Sequence, residues 1–168
     1  MKKAMFIALS IVIFASMPAF SASLSVGTHA SYFVPPESGA TSTLMMGVDA
    51  MYKMGGYFSA QFSVENANYI AAGKQYSLTP ITVSLIAHPY PNAQLNPYVG
   101  GGVGYYDKRV DGASDSTTGV HVMTGINILL QNVNAGFEIK YTVPDTRNMN
   151  VGYSSVTGSM VGGMYMEF

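Results

Sequence analysis

Apolar side chains recur at every second position through most of this chain, and the residues between them are of a different kind. Leu24, Val26, Thr28, Ala30, Tyr32 and Val34 alternate with Ser25, Gly27, His29, Ser31 and Phe33. Leu44 to Met54 repeats the pattern, as do Tyr57 to Glu65, Leu78 to Ala87, 96–108, Gly119 to Leu130, Val133 to Val143 and Val156 to Phe168. A period of two places like residues on one side of a β-strand. About eight strands are therefore predicted. Between them, Pro35-Pro36 and the polar residues after it read as a loop. Gly55-Gly56 reads as a tight turn and 66–77 as a longer loop. Residues 88–96 form a Pro- and Asn-rich connection, 109–118 a loop, Gln131-Asn132 a short turn, and PDTRNMNVGYSS a polar loop before the last strand. Pro80 falls near the start of the fourth strand, where a missing N–H is tolerated.

The charges decide what kind of sheet this is. Asp49, Lys53, Glu65, Lys108, Glu138, Lys140 and Glu167 all fall on the polar parity, and only Asp107 departs from it, where the fifth strand is expected to leave for its loop. A soluble sandwich should carry several Lys and Glu on its outer face. Here the charged face is also rich in Gly, Ser and Thr, as a narrow lumen would be. The other face is apolar along every strand, as contact with hydrocarbon requires. A Lys or Arg at mid-bilayer on that face would cost about 2–4 kcal/mol. An even number of strands closes the sheet and leaves no backbone edge in lipid. The expectation is an all-β, eight-stranded antiparallel transmembrane β-barrel of up-and-down topology with periplasmic termini. Tyr52, Phe58, Tyr98 and Phe168 would form one aromatic girdle, and Tyr32, Tyr105 and Tyr141 the other.

Composition agrees. Charged residues make up 10% of the chain, against about 25% in an ordinary soluble domain. There is no Cys, which excludes disulfides and thiolate chemistry. Lys2 and Lys3 precede the apolar run Ala4 to Ala15, and Pro18 and Ala19-Phe20-Ser21 follow it, the order of a secretory signal peptide. That run is shorter than the roughly 20 apolar residues of a membrane helix. Residues 1–21 are expected to be cleaved, leaving 22–168 as the barrel. Cleavage would remove two positive charges from a chain whose formal net charge is −1. The net negative chain that remains offers no basic surface to attract nucleic acid.

The closing stretch MVGGMYMEF resembles the C-terminal signal of bacterial outer-membrane barrels, an alternating strand ended by Phe. The resemblance implies the barrel-assembly machinery as a partner, recognising the strand that ends at Phe168. LTPITVSLIAHPYPNAQLNPYVGGGVGYY, from Leu78 to Tyr106, resembles the fourth and fifth strands of the outer-membrane protein W (OmpW) family. FEIKYTVPDT and the closing strand resemble that family's last hairpin. The chain departs from the family in its short extracellular loops and its lack of Trp. The resemblance implies residence in the Gram-negative outer membrane, among lipid. It also implies a narrow apolar conduit or binding cup for small hydrophobic molecules.

Eight strands enclose a space that side chains fill, or that holds one small ligand. Phe33, Met45, Tyr106 and Met123 are expected to line its outer half as an apolar cup. Lys53, Gln61, Asn127, Gln131 and Glu167 would form a polar floor. Gly100, Gly102, Gly104, Gly125 and Gly136 would leave room for a ligand or let bulky neighbours pack. The symmetry of the first hairpin sets His29 opposite Asp49, and Glu138 and Lys140 share a face. These four would plug the lumen, or gate it through the titration of His29. His29-Ala30-Ser31 has the His-x-Ser spacing of lipid A deacylases, but its parity points inward and no acid lies nearby on the outer face. No enzymatic activity, cofactor or metal is expected. The alternative to a conduit is a structural or adhesive barrel with a plugged lumen and loop-borne interactions.

Overall fold

A computed structural model describes residues 23–130, 133–148, 152–162 and 166–167. The expected signal peptide, Gln131 and Phe168 lie outside the described residues. The strands are β1 (Ser23–Val34), β2 (Thr43–Met54), β3 (Phe58–Ala71), β4 (Lys74–Ala87), β5 (Leu95–Val110), β6 (Ala113–Leu130), β7 (Val133–Val143) and β8 (Tyr153–Gly162). A two-residue pairing, β9 (Met166–Glu167), lies beside the start of β1. Each strand pairs antiparallel with its sequence neighbour, and β1 pairs with both β2 and β8. The sheet is therefore a closed eight-stranded barrel.

The two parities separate as the pattern requires. Val26, Leu44, Val48, Leu85, Val99, Val122, Phe137 and Ile139 are exposed on the outside, while Ser25, His29, Asp49, Glu65, Glu138 and Lys140 are buried within. Over the middle of the barrel the outer wall is thus mainly apolar, with Thr28 and Thr124 among its exposed members.

Four expectations need correcting. Residues 66–77 and 109–118 are not loops. β3 and β4 continue to a turn at Ala72-Gly73, and β5 and β6 to a turn at Asp111-Gly112. All four turn residues have positive φ, from 48° to 88°, which is the backbone a two-residue hairpin needs. Pro80 consequently lies inside β4, not near its start. The β3–β4 ladder passes from Val64↔Ile81 to Ala67↔Leu78, skipping the position where Pro80 has no N–H to give. Asp107 lies within β5, and its carboxylate accepts from Ser114 and Ser116 across the hairpin. Tyr98 and Tyr105 are buried, so neither is an exposed girdle residue, whereas Tyr32, Phe58 and Tyr141 are about half exposed on the outer wall.

Candidate functional site: the barrel interior

The interior is layered. At the end that carries the N-terminus of β1, the connection after β4 folds inward. Ser59 Oγ lies 3.0 Å from His88 Nε2, and His88 Nδ1 lies 3.3 Å from Asn96 Oδ1. The Asn96 amide donates to the carbonyl of Pro91, which turns its oxygen toward the histidine. A cavity of about 50 Å³ lies above, with Lys53, Gln61 and Asn127 in its wall.

The next layer is ionic. The register pairs His29 with Gly47, not with Asp49, which stands opposite Gly27. The first hairpin is offset by two residues from the expected symmetry. His29 still reaches Asp49 diagonally, Nδ1 to Oδ2 at 3.4 Å, because Gly47 has no side chain to obstruct its ring. Its Nε2 meets Glu65 Oε1 at 2.9 Å. Lys140 Nζ lies 3.3 Å from Glu65 Oε2 and 3.8 Å from Glu138 Oε1. The Tyr98 hydroxyl donates to Glu138 Oε2 at 2.8 Å. Five strands thus contribute to one network, since β1, β2, β3, β5 and β7 each supply a member. Three carboxylates surround two bases, and the Glu65 side chain is 1% exposed. Charges so buried persist only when paired and hydrogen-bonded.

Above this lies an aromatic layer. Phe33, Met45, Ala67, Tyr69, Leu78, Tyr106 and Tyr153 pack together. Phe33 meets Tyr69 and Tyr153 edge-on, with ring centroids 5.6 and 4.9 Å apart. Met123 is not in this layer. It packs lower down with Ile86 and Tyr98.

All eight candidate residues therefore face inward, but in three places: Phe33, Met45 and Tyr106 above, the ionic four at mid-height, and Met123 beside Tyr98. The space over the glycines is occupied. A Cβ at Gly100 would meet the Met123 methyl at 2.9 Å, at Gly104 the Tyr106 ring at 2.7 Å, and at Gly125 the Tyr98 ring at 2.5 Å. His29 and Ser31 also point inward, and Ser31 bonds Thr157 across the β1–β8 seam at 2.8 Å.

Sequence reasoning missed the organising role of Glu65. It lay on the correct parity, but at the apparent end of a strand. Tyr98, His88 and His121 were also missed. His121 Nε2 reaches Ser84 at 2.8 Å, with the side-chain-free Gly102 between their strands. The signal for Tyr98 was its parity, opposite to that of Val99, Gly101 and Val103.

Searches of known structures return small membrane barrels. Neisserial surface protein A aligns over 90% of this chain and 100% of its own, with a TM-score of 0.63 and 16% identity. The N-terminal β-barrel domain of Pseudomonas aeruginosa OprF aligns over 83% and 96%, with a TM-score of 0.61 and 14% identity. Ail, the attachment invasion locus protein of Yersinia pestis, aligns over 86% and 96%, with a TM-score of 0.52 and 15% identity. The fold is that of the small eight-stranded outer-membrane barrels of Gram-negative bacteria. No family model matches the chain, and no curated protein sequence does. The narrower resemblance to the outer-membrane protein W family is carried by the sequence stretches alone.

Proposed function

We propose that the protein works in the Gram-negative outer membrane as a plugged barrel that acts through its outward surface. The observation that carries this reading is the ionic layer. His29, Asp49, Glu65, Glu138 and Lys140 join across the lumen at 2.9–3.8 Å with their side chains almost fully buried. A solute could pass only by breaking several buried ion pairs at once. The hairpins β3–β4 and β5–β6 extend beyond the apolar wall and give the outward end a stiff surface. Ail is named for attachment, and it has also been solved with the heparin analogue sucrose octasulfate. In this chain acids and bases are mixed at that end, with Glu37, Asp111, Asp115 and Asp145 beside Lys74, Lys108, Arg109 and Arg147. Charge therefore gives no reason to expect a sulfated partner here. Assembly would proceed through the C-terminal strand.

A second reading follows the outer-membrane protein W resemblance, in which small hydrophobic molecules settle against Phe33, Met45, Tyr106 and Met123. One observation favours it: a cleft of about 180 Å³ at the mouth opens onto Leu78, Tyr106 and Tyr153. Phe33 and Met45 are 0% exposed, so a ligand would have to part the aromatic layer to go further. Uptake of an apolar fluorescent probe into proteoliposomes separates the two readings. A plugged barrel gives the rate of empty liposomes. Uptake above that rate, abolished by Phe33→Asp, would establish the conduit instead.

A further inference from the structure

The mouth cleft is walled by Tyr69, Tyr106 and Tyr153 and rimmed by Glu37, Asp115 and Asp145. Lys108 is the one cation among the described residues lining it. Its placement is specific. The ammonium pairs with Glu37 and lies 5.2 Å from the centre of the Tyr76 ring. Tyr69 stacks on Tyr76 at 5.1 Å, with the rings 8° from parallel, and its hydroxyl donates to the other Glu37 oxygen at 2.9 Å. A carboxylate on one side and an aromatic face on the other are the two partners that an alkylated ammonium asks for. Lys108 occupies that position on a tether. Asp145 is already held by Arg147, which leaves Glu37 and Asp115 to give the cleft its charge.

We propose that this cleft binds small organic cations carrying an alkylated ammonium group, and that Lys108 holds the cation's place until it is displaced. The Tyr76 ring at the edge of the cleft supplies apolar contact for the methyl groups, and Glu37 supplies the counter-charge. Glu37 sits on the β1–β2 loop, so an incoming cation would exchange one partner of that loop for another. The proposal rests on the reading that the outward surface carries the protein's interactions. A trimethylammonium group can come free in solution or on a phosphocholine headgroup. The acids at the rim disfavour the phosphate and point to the free cation.

The test uses the folded chain in maltoside micelles, which carry no ammonium group. Choline, phosphocholine and the neutral isostere 3,3-dimethylbutan-1-ol are titrated while the tyrosine ring signals are followed by NMR. Choline should bind, and the isostere should bind about tenfold more weakly. Lys108→Met removes the tethered competitor and should tighten choline binding about five- to tenfold. Adding Glu37→Gln to that variant should cancel the gain. Equal binding of choline and the isostere would overturn the proposal. So would an absence of choline binding to both the native protein and Lys108→Met, or indifference to Glu37→Gln. Phosphocholine binding more tightly than choline would overturn the assignment to free cations. Each variant is first checked for the folded band on an unheated gel. Probe uptake through the lumen would refute the plugged reading without altering these titrations, so the two failures are distinguishable.

Discussion

Replacing Lys140 by Met tests whether the ionic layer is a plug or a wet pore. Met nearly keeps the length and volume of the lysine stem, so the change is almost purely one of charge. Lys140 Nζ stands 3.3 Å from one carboxylate and 3.8 Å from a second, at a site where its own side chain is 8% exposed. With an effective dielectric of about 20, each contact is worth roughly 4–5 kcal/mol before the cost of desolvation is subtracted. Removing the ammonium leaves Asp49, Glu65 and Glu138 facing His29 as their nearest buried base. Breaking a buried pair by deleting one partner costs about 3–5 kcal/mol, and that is the expected loss of stability. The assay is equilibrium urea unfolding in lipid vesicles. It is followed by far-UV circular dichroism, because the chain has no Trp to report by fluorescence. Adding Glu65→Gln rebalances the layer, with His29 facing Asp49 and Tyr98 still donating to Glu138. The double variant should recover at least about 2 kcal/mol of the loss, since coupled neighbours are not additive. A single-variant cost below about 1 kcal/mol would mean that water screens these charges as it does at a surface. The layer would then be no barrier, and the plugged reading would fail with it.

Three further outcomes follow from the same geometry. Gly47→Ala would place a Cβ 2.5 Å from His29 Nε2 and 2.9 Å from Glu65 Cγ, and should cost about 1–3 kcal/mol of unfolding free energy by overpacking; an unchanged urea midpoint would mean the His29 ring lies elsewhere. Val122→Arg, on the outer wall of β6, should cost about 2–4 kcal/mol in vesicles if that wall meets hydrocarbon; a neutral result would reverse the sidedness. Hydrogen bonds from the Arg147 side chain hold the Asp145 carboxyl below its usual value of 3.8. A depressed carboxyl contributes above its unfolded pKa and loses that contribution as pH falls through the folded one. The Arg147 Nε–H signal should therefore shift with a midpoint below that usual value, and a midpoint at or above it would show the pair to be unformed.

Within the membrane the barrel was legible because two solvents act on the two faces. Hydrocarbon outside and a cramped polar space inside write opposite demands onto alternate residues, and no tertiary information is needed to read them. The inward placement of His29, Asp49, Glu138 and Lys140 follows from parity alone. Their partners do not. Parity leaves the stagger of neighbouring strands undetermined, and a shift of two residues preserves every facing while changing every pair. That is how His29 came to be expected opposite Asp49, when it stands opposite Gly47 and bonds Glu65. Whether the interior is filled was also beyond reach. Glycine alternation fits a cavity as well as a neighbour's ring, and it is the fold that lays Tyr98, Tyr106 and Met123 over the glycines.

The two misread loops have a single physical cause, and it bears on function. Above the apolar band the outside of the barrel is water. The demand on the outer parity reverses there while the backbone alternation continues. In β3 the outward residues become Asn66 and Asn68, with Ile70 exposed beside the turn, and the inward ones Ala67, Tyr69 and Ala71. In β5 the outward residues become Asp107 and Arg109, and the inward ones Tyr106 and Lys108. A search for apolar residues on the lipid parity loses the strand where the lipid ends, and records a loop. The inversion itself marks the membrane boundary. It also explains why the tyrosines collect inside the mouth: above the bilayer, the inner face is the place where a large ring can leave water. Tyr76, the ring over which Lys108 lies, packs against the aromatic surface that excludes solvent there. A hairpin that outlives its lipid contact thus has to build its own apolar interior, and in doing so it forms the apolar wall of the mouth cleft.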